Sequence, residues 1–192
     1  MALKLVTPPS AEPVSLDELK EHLCFTDDLG TADDAMLTRK IAAARQHVER
    51  MLGQSLIDTT FDLFLDRFPR AEIGLPRGPL RSVVDLAYIG LDGIEATVSA
   101  ANYAVDTVSS PGWVVPHTNV SWPQTMETVN AVRVRFVAGY SDTPSGLPEA
   151  LKEAVCQLAA WWYEQREAAG EGAREVPFGV TDIVEGYREW SF

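Results

Sequence analysis

Three histidines, two cysteines and a run of aspartates are the residues of this chain whose types could do chemistry. His22 and His47 fall in stretches with helical periodicity, and His117 lies in a proline-flanked loop. No two of them stand at the H-x-x-x-H spacing that puts a pair of imidazoles on one helix face for zinc. Cys24 and Cys156 are far apart and belong to no C-x-x-C pair, so neither a zinc knot nor a disulfide framework is expected. Both thiols are read as buried. Asp27, Asp28, Asp33 and Asp34 crowd one short stretch, but they lack the D-x-D-x-D-G order and trailing Glu of a calcium loop. They read as a solvated acidic loop leading into a helix. "GLPRGPLRS" (74–82) offers glycine and arginine. Pro76 and Pro79 remove the backbone N–H donors that a phosphate cradle needs, so it reads as a rigid connector. No G-x-S-x-G elbow and no P-loop occurs. The sequence assembles no nucleophile, base and oxyanion donor. The chemistry-bearing residues therefore predict no enzyme, no metal and no cofactor.

The elements that carry these residues are of two kinds. Ser15 and Glu18 form an S-x-x-E capping box, with Val14 and Leu19 at hydrophobic-staple positions, which predicts a short helix to about residue 23. Leu37, Ile41, Ala44, Val48 and Met51 or Leu52 recur at spacings of four and three, predicting a helix over about 32–52 that Gly53 ends. Arg39, Lys40, Arg45 and Arg50 are assigned to its other faces. Between about Ile57 and Tyr140 the period changes to two. Phe61, Leu63 and Leu65 alternate with acids, "RSVVDLAYIGLDGIEATV" reads as a hairpin turning at Asp92-Gly93, and Val132, Val134 and Phe136 alternate with Arg133 and Arg135. Residues 102–106 and 112–115 are further strands. Pro148 then opens a third helix.

That third helix, "LKEAVCQLAAWWYEQRE" (151–167), is apolar over an unusually wide arc. Leu151, Val155, Leu158 and Trp162 share one sector, while Ala154, Trp161, Ala159 and Tyr163 widen it on both sides. One helix partner rarely covers such an arc. Two readings stay open: a central helix enclosed by its own domain, or a helix with one flank in its own core and the other against another subunit. Gly170 to Ala173 look like a flexible break. The tail after it carries Phe178, Ile183, Tyr187, Trp190 and Phe192, too aromatic for a disordered end. It either folds back on the domain or docks on a partner.

The fold class read from these elements is α+β: a mainly helical core of three to four helices, an inserted β-rich region and an extended C-terminal tail. Its parts are an N-terminal helical part (1–56), the β-rich insertion (57–140), the long helix (141–170) and the tail (171–192), in one structural domain overall. A length of 192 residues suits that size. No apolar run reaches the roughly 20 residues of a membrane span. The N-terminal residues lack the apolar core of a signal peptide, so a protein made in the cytoplasm is expected. The net charge of −12 argues against gripping nucleic acid over a broad surface, because phosphate contacts need Lys and Arg.

The order of these pieces is similar to a known family. "PVSLDELKEHL" (13–23), "DDAMLTRKIAAARQHVERMLGQSLI" (33–57), "LFLDRFPRAEIGLPRGPLRSV" (63–83), "VRFVAGYSDTPSGLPEALKEAVCQLAAWWYEQRE" (134–167) and the ending "VPFGVTDIVEGYREWSF" resemble the head–tail connector, or adaptor, proteins of long-tailed phages, prophages and phage-like gene transfer agents. Residues 99–130 match least well. The resemblance implies a structural ring, typically of twelve subunits, at the head–tail junction of a virion or phage-like particle. The ring would sit beneath the portal protein, extend the DNA channel and meet a tail-side stopper or tail terminator protein, with DNA passing through unbound. It also implies a subunit interface for Leu158, Trp161, Trp162 and Tyr163, and a portal-docking role for Phe178, Ile183, Tyr187, Trp190 and Phe192. Some of Asp27, Asp28, Asp33 and Asp34 would face the channel, the alternative being that they solvate the outer surface. A stopper or tail-completion ring protein is the alternative within the structural class. A small intracellular enzyme, with a cleft between helices and β region, is the alternative outside it.

Overall fold

The structure is a computed structural model, and it describes residues 1–24, 31–165 and 176–188. Asp27, Asp28, Gly170 to Ala173, Trp190 and Phe192 lie outside the described residues. In chain order the elements are β1 (Ala2–Thr7), α1 (Leu16–His22), α2 (Asp34–Leu52), β2 (Thr59–Leu65), β3 (Ile73–Leu75), β4 (Leu80–Ile89), β5 (Glu95–Thr97), β6 (Tyr103–Asp106), β7 (Gly112–Pro116), β8 (Val132–Ala138), α3 (Glu149–Glu164) and α4 (Phe178–Tyr187). The fold is α+β. It divides into a β unit (Met1–Ser10 with Asp58–Tyr140) and a helical unit (Ala11–Ile57 with Ser141–Phe192).

The β unit is built of two antiparallel sheets, ordered β1-β2-β8-β4-β5 and β3-β7-β6. β8 sits centrally and shows the clean alternation that its sequence requires: Val132, Val134, Phe136 and Ala138 are buried, and Arg133, Arg135 and Val137 point the other way. The inward faces of the two sheets share one core, in which Phe61 and Phe136 pack across strands with centroids 5.7 Å apart. The outward face of the larger sheet bears a cross-strand row of alternating charge. Lys4 is registered with Asp62, Asp62 with Arg135, and Arg135 with Asp85. Arg135 donates to both carboxylate oxygens of Asp62, at 2.7 and 2.8 Å. Opposite charges on paired strands stabilise the register, because a one-residue slip sets Asp62 opposite Val134 or Phe136 and turns the apolar set to the other face.

β1 lies within the stretch read from sequence as helical. All six of its residues are exposed. A strand that buries neither face shows no apolar-polar alternation, so periodicity could not reveal it. The 74–82 connector also carries more structure than expected: β3 ends at Leu75 and β4 starts at Leu80, with Arg77 between them at φ 71°. The Asp92-Gly93 turn forms as read, with Gly93 at φ 77°.

The helical unit follows its local signals. Ser15 Oγ accepts the Glu18 N–H and Glu18 accepts the Ser15 N–H, closing the capping box, and Val14 and Leu19 are buried. α2 buries Leu37, Ile41, Ala44, Val48 and Leu52, and Gly53 ends it in the left-handed conformation at φ 74°. Arg45 departs from its assignment to a polar face: it is only 7% exposed. Its position four residues after Ile41 places it on the buried stripe. Its charge is met by Glu12 at 2.8 Å and Glu49 at 2.7 Å. Glu49 also accepts the Leu56 N–H. One guanidinium thus ties the segment before α1 to α2 and, through Glu49, to the chain that leaves α2.

Candidate functional site

α3 is the helix around which the others are arranged, and it contacts α1, α2 and α4. Leu151, Ala154, Val155, Cys156, Leu158, Ala159 and Ala160 are buried along it. Three helical neighbours account for most of its wide apolar arc. Leu158 is fully buried inside the unit and has no surface left for another subunit. Trp161, Trp162 and Tyr163 are half-buried. The Trp162 ring meets His47 of α2 edge-on, centroids 5.5 Å apart. The Tyr163 hydroxyl donates to Asp33 at the start of α2. Each aromatic therefore has an inner contact or partial cover and an outer surface that stays open.

α4 docks back on α3 and α2 through Val180 and Val184, so this part of the tail folds onto its own unit. Ile183 is half-buried, Tyr187 is exposed, and Phe178 is 83% exposed at the first position of the helix.

The aspartates of the acidic stretch are engaged locally where they are described. Asp33 accepts from Tyr163, and Asp34 pairs with Lys20 of α1. These contacts fasten the start of α2 to α1 and α3. The histidines do not converge: His22 and His117 are exposed, and His47 lies between Arg50 and Trp162. Burial, and next the Arg50 charge, push its imidazole below its usual range. Cys156 is buried, and burial with the nearby Glu153 and Glu18 carboxylates pushes its thiol up to about 11. It is protonated and unreactive at neutral pH. Cys24 is exposed instead of buried, because it lies just past the end of α1, at φ 54°. No group of three His, Cys, Asp or Glu residues among the described residues could hold a metal.

What sequence reasoning missed lies in the β unit. Loops 66–72 and 116–130 form two adjoining grooves, and Phe68 and Trp122 stack between them with centroids 5.0 Å apart and ring planes 8° apart. Arg67 and Arg70 stand at this lip, both exposed. Two arginines near a tryptophan in separate, proline-broken loops gave no periodic signal to follow.

A family model described as phage gp6-like head-tail connector protein matches residues 13–111 and 124–188. The unmatched stretch between them, 112–123, covers β7 and the first part of the groove-forming loop. Among solved structures, a chain from the neck of an empty gene transfer agent (GTA) particle, computed with C6 symmetry, is 27% identical with a TM-score of 0.84. A chain from the virion of a native GTA particle is 29% identical with a TM-score of 0.83. One from the neck of a native GTA particle computed with C12 symmetry is 27% identical with a TM-score of 0.78. In each case the match covers 100% of this chain and 97% of the other. No curated protein matches the sequence.

Proposed function

The chain belongs to the phage gp6-like head–tail connector protein family, and from that membership we propose how it works. It is a structural connector of a phage-like particle, forming part of a ring at the head–tail junction. The observation that carries this is full-length likeness, at a TM-score of 0.84, to a subunit of a GTA neck. The finer reading is a non-catalytic ring of twelve beneath the portal, continuing the DNA channel and receiving a tail-side stopper or tail terminator protein. The C12 symmetry of the neck structure supports the number.

In a ring each subunit presents two different faces, one to each neighbour. The outer surfaces of Trp161, Trp162 and Tyr163 suit one such face, since aromatics that keep both an inner support and an open side favour interface cores. Buried Leu158 then acts from inside, by holding α3 in place. Phe178 and the tail beyond α4 suit the portal. Val180 and Val184 anchor the helix while Phe178 faces outward.

The test is mass by light scattering with negative-stain imaging, on the protein alone and mixed with its portal. Rings alone, or rings that form only with portal, are expected. A monomer that ignores the portal overturns the connector reading. A chain lacking residues 177–192 is expected to stay folded and to bind portal more weakly; unchanged portal binding removes the tail from that role.

A further inference from the structure

The grooved end of the β unit carries charge and apolar surface that the unit itself leaves unused. Arg67 and Arg70 have no hydrogen-bond or ion-pair partner among the described residues. The two grooves, of about 630 and 610 Å³, meet along Arg67, Thr125 and Glu127. Leu91, Met126 and Val129 stand on their walls, 69%, 44% and 74% exposed. The walls are held stiffly. Besides the Phe68–Trp122 stack, Trp122 Nε1 donates to the Ala71 carbonyl at 2.8 Å and the Met126 N–H to the Ile89 carbonyl at 3.0 Å. The Asn130 N–H donates to Asp66 at 2.9 Å. Loops fixed in this way lose little further entropy on docking. Exposed Met and aliphatic side chains beside arginines have the composition of an interface core and its edge.

Charge indicates the occupant. Each copy carries −12, so two copies repel unless their contact sets cations against carboxylates. The unpartnered guanidinia of Arg67 and Arg70 supply such cations beside apolar surface. Resting on the ring reading above, we propose that this loop end of the β unit seats an adjacent copy of the chain. Arg67 and Arg70 meet the neighbour's carboxylates there, and Leu91, Met126 and Val129 are covered.

The experiment compares the full-length wild type with R67E/R70E and with R67Q/R70Q. Ring formation is followed by mass photometry, alone and on the purified portal, across a salt series. Thermal melting of each variant's monomer checks folding. The wild type is expected to form rings. R67E/R70E is expected to melt unchanged while assembling about tenfold or more weakly, with R67Q/R70Q between them and the salt dependence reduced in both variants. Rings of R67E/R70E that form as readily as wild-type rings overturn the proposal while leaving the connector reading intact. So does a variant that assembles normally but loses only its tail-side partner, which would make this face a docking site for another protein. Wild-type protein that forms no ring under either condition overturns both.

Discussion

Arg45 shows how one buried charge organises the helical unit. It is 7% exposed and is held by Glu12 and Glu49, while Glu49 also receives the Leu56 N–H. Removing one member of a buried ion group strands the others without compensation, at a cost of about 3–5 kcal/mol. Arg45→Ala should lose stability on that scale. The loss should also depend on pH. Burial already raises the Glu49 carboxyl above its usual 4.5, and the Arg45 charge is what opposes that rise. Without Arg45 the folded-state pKa climbs further. A raised carboxyl pKa means that the folded state takes up protons more readily than the unfolded one, so stability falls as pH rises from 4.5 through the folded value. Urea unfolding of Arg45→Ala should therefore show a larger deficit at pH 8 than at pH 5. An equal deficit at both would show that Glu49 does not carry the stranded charge. Asp62 behaves oppositely: the Arg135 hydrogen bonds hold its carboxyl below 3.8. Its stabilisation is complete above that value and is lost as pH falls through the lower folded one. Asp62→Asn is expected to be less stable than the wild type at neutral pH and to lose less stability as pH falls below 3.8, read by urea unfolding across an acid series.

At the scale of elements, α3 separates two roles that sequence periodicity merges. Leu158 is wholly enclosed, whereas Trp161 keeps an open side. Leu158→Ala should cost the monomer about 2–5 kcal/mol through the cavity it leaves. Trp161→Ala should cost the monomer less and weaken ring assembly more, read by urea unfolding and light scattering on the same samples. If Trp161→Ala assembles as the wild type does, the outer side of α3 is not a subunit contact. The elements that were legible in sequence share one property: each buries one face. The stripe from Leu37 to Leu52, the capping box at Ser15 and the alternation of Val132, Val134 and Phe136 all report burial directly. β1 buries nothing, so no face of it reports burial, whereas α4 does carry a helical period in Val180, Ile183, Val184 and Tyr187, which its glycines and the reading of an extended tail obscured. The groove beneath Arg67 and Arg70 was illegible for a different reason. It is made by residues some fifty positions apart, such as Trp122 on the Ala71 carbonyl, and only the sheet topology brings them together.

At the scale of the whole molecule, net charge was the most informative property of the composition, and a ring amplifies it. A channel wall repeated around a symmetry axis sums the field of every copy, and a negative lumen keeps a polyanion centred and unbound. Asp33 and Asp34 cannot test this cleanly, because they are bound to Tyr163 and Lys20 and their reversal would disturb the start of α2. The experiment uses Asp27 and Asp28. Particles carrying Asp27→Lys and Asp28→Lys connectors should assemble with normal necks and release DNA more slowly, followed by dye fluorescence on triggered ejection. The slowing should shrink as ionic strength rises and screening shortens the reach of each charge. Slow ejection that ignores salt would point to altered packing of the ring instead of electrostatics. Normal ejection from well-formed particles would place these aspartates on a surface that DNA never approaches.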